Sequence, residues 1–224
     1  SEHNLKYYCE DALGNAGPVD EEKFKVFGKM FEIELNKKWN LISVPFDPLN
    51  KDVEEVFKDV EANISAVWTY DAETGEWLVY RPGEDTNNLE EIKTGYGYWI
   101  SAYNPATLLI GGSLYSPGPN VPPNRELMEG WNLIGYYGAE GKVDYTGPPP
   151  DGKKAYCALD SIVKTNLVPL WSSLLTYWEP YNPEQWIELG IIKDSQMDPG
   201  AGYWINMKED GNYAPSTACP GVED

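Results

Sequence analysis

The side chains able to do acid–base or nucleophilic chemistry are few and poorly spaced for it. The chain has 224 residues and a single histidine, His3, in a polar stretch, so Ser-His and Cys-His schemes lack a base. Cys9, Cys157 and Cys219 form no CxxC pair and have no histidine nearby, which argues against zinc. Cys157 and Cys219 bracket strands in the second half of the chain and are expected to pair as a disulfide, with two buried thiols as the alternative. Closing so long a loop would stabilise the fold by about 4 kcal/mol. Cys9 is then left as a free or intermolecular thiol. Asp71, Glu73 and Glu76 gather oxygen ligands in one loop but miss the D-x-D-x-D-G register of a calcium site, so calcium there is weak beside an ordinary turn. Gly95-Tyr96-Gly97 lacks the third glycine and the following helix of a nucleotide fingerprint, and no cofactor is expected. Paired carboxylates cleave glycosides, but no particular pair stands out. The chain reads as a non-enzyme.

Aromatic side chains are more informative. Trp171, Trp178, Tyr181, Tyr136 and Tyr137, with Tyr145 and Tyr156, fall in the second half and have no evident counterparts in the first. Exposed Trp and Tyr faces stack on sugar rings and dominate interface hot spots. These residues are therefore the expected ligand-binding surface, for a polysaccharide, unless the loop around them folds back as a satellite core. Asn63-Ile64-Ser65 is the one N-x-[ST] tripeptide and a candidate glycan acceptor on a surface protein.

Composition narrows the partners. With 36 acidic against 17 basic side chains the net charge is −19, which excludes nucleic acid as a partner and disfavours anionic membranes. No apolar run approaches the ~20 residues of a membrane-spanning helix, so no membrane insertion is expected.

The elements that must carry these residues form an internal repeat. Trp39-Asn40-Leu41-Ile42 recurs as Trp131-Asn132-Leu133-Ile134, and Val67-Trp68-Thr69-Tyr70 as Leu174-Leu175-Thr176-Tyr177. Gly75-Glu76-Trp77-Leu78 is echoed around Glu184-Gln185-Trp186-Ile187, and Gly95-Tyr96-Gly97-Tyr98-Trp99-Ile100 returns as Gly200-Ala201-Gly202-Tyr203-Trp204-Ile205. The second copy is longer between its first two anchors, which places a Gly/Pro-rich loop insertion near 135–156. A weaker echo of Val26-Phe27-Gly28-Lys29 in Leu109-Ile110-Gly111-Gly112 predicts a strand entering each copy, the one near 107–114 joining the two. Because Trp39, Trp77 and Trp99 match Trp131, Trp186 and Trp204, and Trp68 matches the apolar Leu175, all seven are expected in the core.

Alternating apolar positions, 21 Gly and 18 Pro predict a mainly β, β-rich α+β fold. Two tandem modules, sandwich-like or small and barrel-like, would each carry one short helix. In the first the helix runs from Asp52 to about Glu61, with Asp52 and Glu55 at capping-box spacing. In the second it lies near 158–164. The expected organisation is an N-terminal extension over 1–23, module 1 over 24–114, a Pro-rich linker over 115–124 and module 2 over 125–224.

A segment opening Trp39-Asn40-Leu41-Ile42-Ser43-Val44-Pro45 and closing Gly95-Tyr96-Gly97-Tyr98-Trp99-Ile100 resembles a recurring module of archaeal and bacterial surface and secreted proteins. The resemblance covers 24–114 well and 107–208 less well. It implies an extracellular or cell-surface location and tandem β architecture, and it brings no catalytic signature. On this reading the chain is a non-catalytic structural or adhesive protein. Its partners are itself or other surface proteins, joined by addition of the N-terminal strand and through Cys9. The alternative is a carbohydrate-binding module.

Overall fold

The computed structural model describes residues 2–7, 20–25, 29–113, 124–137, 153–164, 169–177, 186–188 and 196–215. Strands take 54% and helical turns 10%, so the fold is mainly β, in several small sheets with no closed barrel among the described residues.

A hairpin of β1 (Glu2–Tyr7) and β2 (Asp20–Lys25) stands as its own two-stranded sheet. Repeat 1 follows with β3 (Lys29–Leu35), β4 (Lys38–Ser43), β5 (Asp47–Pro48), α1 (Val53–Phe57), β6 (Ile64–Asp71), β7 (Glu76–Tyr80), β8 (Gly97–Ala102) and β9 (Ala106–Ser113). Repeat 2 contains β10 (Arg125–Leu127), β11 (Gly130–Gly135), β12 (Lys153–Lys154), α2 (Ala155–Ala158), β13 (Trp171–Tyr177), β14 (Trp186–Glu188), β15 (Gln196–Met197), β16 (Gly202–Met207) and β17 (Gly211–Tyr213).

Each repeat builds the same antiparallel sheet, in the order β4-β8-β6-β7 and then β11-β16-β13-β14. A smaller sheet covers one face: β3-β9-β5 in the first copy and β10-β17 in the second. Period-2 alternation sends Phe31, Ile33, Leu108 and Ile110 inward against Ile42, Val67 and Ile100, forming an open sandwich with α1 packed in through Val53 and Phe57. Repeat 2 has its own core around Ile134, Leu174, Ile205 and Met207. The strand near 107–114 therefore does not join the copies. It is β9, which pairs with β3 from Ala106 to Gly112 and closes repeat 1, as β17 pairs with β10 to close repeat 2.

The helices are shorter than the sequence pattern predicts. Asp52 does cap α1, its Oδ1 accepting from the N–H groups of Glu54 and Glu55 at 2.9 and 3.2 Å. After Phe57 the chain leaves the helix and makes a 3-10 turn over Glu61–Asn63, which still buries Val60. In repeat 2 the helix starts earlier than expected, at Ala155, and Asp160–Ile162 is again a 3-10 turn.

The repeated polar residues hold the same joints twice. Asn40 accepts from the Asn36 N–H and donates to its carbonyl, both at 2.8 Å, closing the turn before β4. Asn132 does the same with Met128 at 3.0 and 2.7 Å. Inside those turns Lys38 and Gly130 take φ of 83° and 92°. The Tyr98 hydroxyl accepts from the Lys93 N–H at 2.7 Å, and the Tyr203 hydroxyl accepts from that of Asp198 at 2.6 Å. The Thr69 and Thr176 hydroxyls donate to the carbonyls of Gly97 and Gly202 at 2.8 and 2.9 Å.

Candidate functional site

The uncovered faces of the two four-stranded sheets meet in a seam with approximate two-fold symmetry. The Ser43 N–H donates to the Gly200 carbonyl at 2.7 Å, and at the equivalent place the Gly135 N–H donates to the Gly95 carbonyl at 3.0 Å. Isolated antiparallel bridges join Ile42 to Ala201 and Ile134 to Tyr96, again equivalent pairs. Such reciprocity is the mark of an isologous interface, here built within one chain. Glycines permit the approach. A methyl at Gly97 would lie 2.7 Å from the Ile134 carbonyl oxygen, and one at Gly202 would lie 2.6 Å from that of Ile42.

One cation is buried at the seam. Arg125 is 6% exposed and stands where repeat 1 has the apolar Ile33. Its Nη1 donates to the carbonyls of Gly95 and Leu133, and its guanidinium lies 3.7 Å from the centre of the Tyr96 ring. Desolvation lowers its pKa, and the neighbouring tyrosines Tyr96, Tyr98 and Tyr137 act against that shift.

The repeated tryptophans line this seam rather than the cores. Trp39 and Trp77 are each 44% exposed and Trp131 is 42% exposed, while Trp68, Trp99 and Trp204 are half-buried. Trp186 lies in β14, and its side chain is outside the described set. The reason is alternation. In β8, Tyr98 and Ile100 point into the core, so Trp99 must point the other way. Trp99 meets Trp39 edge-on at 6.1 Å and Tyr177 of the other repeat at 5.1 Å. Trp204 correspondingly meets Trp131 at 6.4 Å and Tyr70 of repeat 1 at 5.6 Å, and also Trp77 at 5.8 Å.

Between these rings opens a cleft of about 400 Å³ lined by Trp39, Trp68, Trp77, Trp99 and Tyr177. Trp68 and Trp77 stand nearly perpendicular at 6.3 Å. The Arg81 guanidinium lies 5.0 Å from the Trp68 ring centre, with Glu84 at 3.6 Å. The lining holds no nucleophile–base pair. It presents π faces, which bind by stacking or by cation–π attraction.

The ligand-binding residues expected from sequence are placed differently. Trp171 is 2% exposed, and Tyr136 and Tyr137 are 6% exposed, all within the repeat 2 core, so none offers a ring face to a ligand. Trp171 does have a counterpart: it sits at the same strand irregularity as the buried Ile64. Trp178 and Tyr181 lie outside the described residues. The loop carboxylates Asp71, Glu73 and Glu76 make a turn, not a calcium site. Asp71 Oδ1 accepts the Glu73 N–H at 3.0 Å, and among the described residues no three His, Cys, Asp or Glu side chains converge. Asn63 is half-buried at the end of its 3-10 turn, and Ser65 Oγ bonds Ser101 Oγ at 2.7 Å. Cys157 is buried and disulfide-bonded, whereas Cys9 and Cys219 lie outside the described residues. No helix among the described residues is long and apolar enough to cross a membrane.

No known protein family, no curated protein and no solved structure matches this chain.

Proposed function

We propose that the chain is a non-catalytic structural or adhesive component of a cell surface or extracellular assembly, with its two repeats acting as one rigid block. The observation that carries this reading is the seam. Reciprocal backbone hydrogen bonds, bare glycine contacts and a buried arginine fasten the end of each repeat's edge strand to the other repeat. Three of the most perturbed protons also serve architecture. Tyr98, Tyr203 and Tyr213 are raised by burial, and each bonds backbone.

The resemblance to surface modules, the half-cystine at Cys157 and the Asn63 tripeptide support an extracellular setting. Within that setting Cys157 pairs with Cys219, and Asn63 carries a glycan. Assembly proceeds through β1 and β2, which pair only with each other among the described strands and leave their outer edges for a neighbouring sheet. Cys9 is the covalent lock. The carbohydrate-binding alternative loses three of the residues on which it rested, since Trp171, Tyr136 and Tyr137 are in the core, while Trp178 and Tyr181 lie outside the described residues.

Light scattering after non-reducing size exclusion, across a hundredfold range of concentration and with or without reductant, tests the assembly. Ordered growth that diminishes on reduction is expected. A monomer under every condition overturns the assembling role.

A further inference from the structure

The aromatic cleft on the seam has the chemistry of a ligand site, a feature the assembly role leaves unexplained. Its walls are four indoles and one phenol, and two of the indoles, Trp39 and Trp77, are each 44% exposed. A volume of about 400 Å³ suits a small molecule. The polar atoms in that lining are indole N–H donors and a single phenol oxygen. A sugar would bring several hydroxyls, each needing both donors and acceptors, and leaving them unpartnered against carbon is costly. An alkylated ammonium head has no hydrogen bonds to satisfy, and ring faces attract its charge.

Two further observations favour a cation. The field is negative: the chain carries −19, and the hairpin that supplies Trp68 and Trp77 holds Asp71, Glu73 and Glu76. The seam also already seats cations on rings, Arg81 over Trp68 at 5.0 Å and Arg125 over Tyr96 at 3.7 Å. We propose that the cleft lined by Trp39, Trp68, Trp77, Trp99 and Tyr177 binds a small soluble organic cation with an alkylated ammonium head. Arg81, at the Trp68 wall, is the like charge that limits its affinity.

Choline is the probe, titrated into the full chain and followed by tryptophan fluorescence and by NMR of the indole N–H signals. The control is 3,3-dimethyl-1-butanol, which has the same shape with carbon in place of the charged nitrogen. Choline is expected to bind roughly tenfold tighter than the neutral control, and more weakly as salt rises. Trp39→Ala lowers choline affinity about tenfold. Arg81→Gln, which removes the charge at the Trp68 wall and keeps a polar side chain there, raises it severalfold. Equal affinity for choline and its carbon analogue overturns the proposal, as does weaker choline binding after Arg81→Gln. So does the absence of a saturable choline response, whether or not neutral oligosaccharides or phosphatidylcholine vesicles bind in its place.

Discussion

Asn40 and Asn132 show why one polar residue persists inside an otherwise apolar opening motif: each amide replaces two backbone partners and fixes the turn that aims its strand. The two turns differ at one position. Lys38 is forced to φ 83° where repeat 2 has Gly130 at 92°, and a side chain in that region costs on the order of 1 kcal/mol. Lys38→Gly is therefore expected to stabilise the protein by about 1 kcal/mol in chemical denaturation, and a loss of stability would contradict this account. The sequence marks the asparagine as repeated but does not reveal its partner, because Asn36 and Met128 share no chemistry beyond their backbones. The tryptophans teach a related lesson. Their repetition suggests burial, yet the alternation of Tyr98, Trp99 and Ile100 already sets Trp99 on the opposite face from its neighbours. Repetition signals a shared structural duty, and here that duty is the seam.

At the scale of elements, the edge strands β4 and β11 are each capped by a glycine-bearing run of the opposite repeat, which occupies backbone groups that would otherwise invite pairing with strangers. Gly97→Ala and Gly202→Ala each press a methyl to within 2.7 Å of a carbonyl oxygen across the seam. Each is expected to cost about 1–3 kcal/mol and to raise hydrogen exchange at Ser43 and Gly135 together. Unchanged exchange at both amides would show that the seam tolerates the methyl. The strands and the hairpin of β6 and β7 were legible from alternation and turn residues. Helix lengths were not, because Val60 keeps the helical apolar spacing while its backbone has already left the helix. Nor was the Trp171 position legible, since a Trp and an Ile at one bulge look unrelated until the strands are paired.

For the whole molecule, buried phenols define the alkaline limit. Tyr98, Tyr137, Tyr203 and Tyr213 are all raised, chiefly by desolvation. An unfolded tyrosine titrates near 10. Because the folded values lie higher, the stability these groups contribute is fully present below pH of about 10 and is lost as pH rises through the folded values. These four phenols should ionise only as the strand signal disappears in circular dichroism. Complete phenolate absorbance in a chain that keeps its strand signal would refute this. The overall β class and the two-fold duplication were readable from the chain. The seam was not, because nothing in the spacing of the repeats says that they meet face to face.

The near-symmetry of that seam also breaks where Ser43 and Gly135 occupy equivalent places. A methyl at Gly135 would stand 2.5 Å from the Ser43 Cβ, while the Ser43 hydroxyl holds the Ala201 carbonyl at 2.7 Å. Two serines would overlap there, and two glycines would give up that hydroxyl contact. Perfect inheritance of one copy by the other would thus leave the halves either unable to close or more loosely joined. The twins lie this near each other because, at this position, they are not identical.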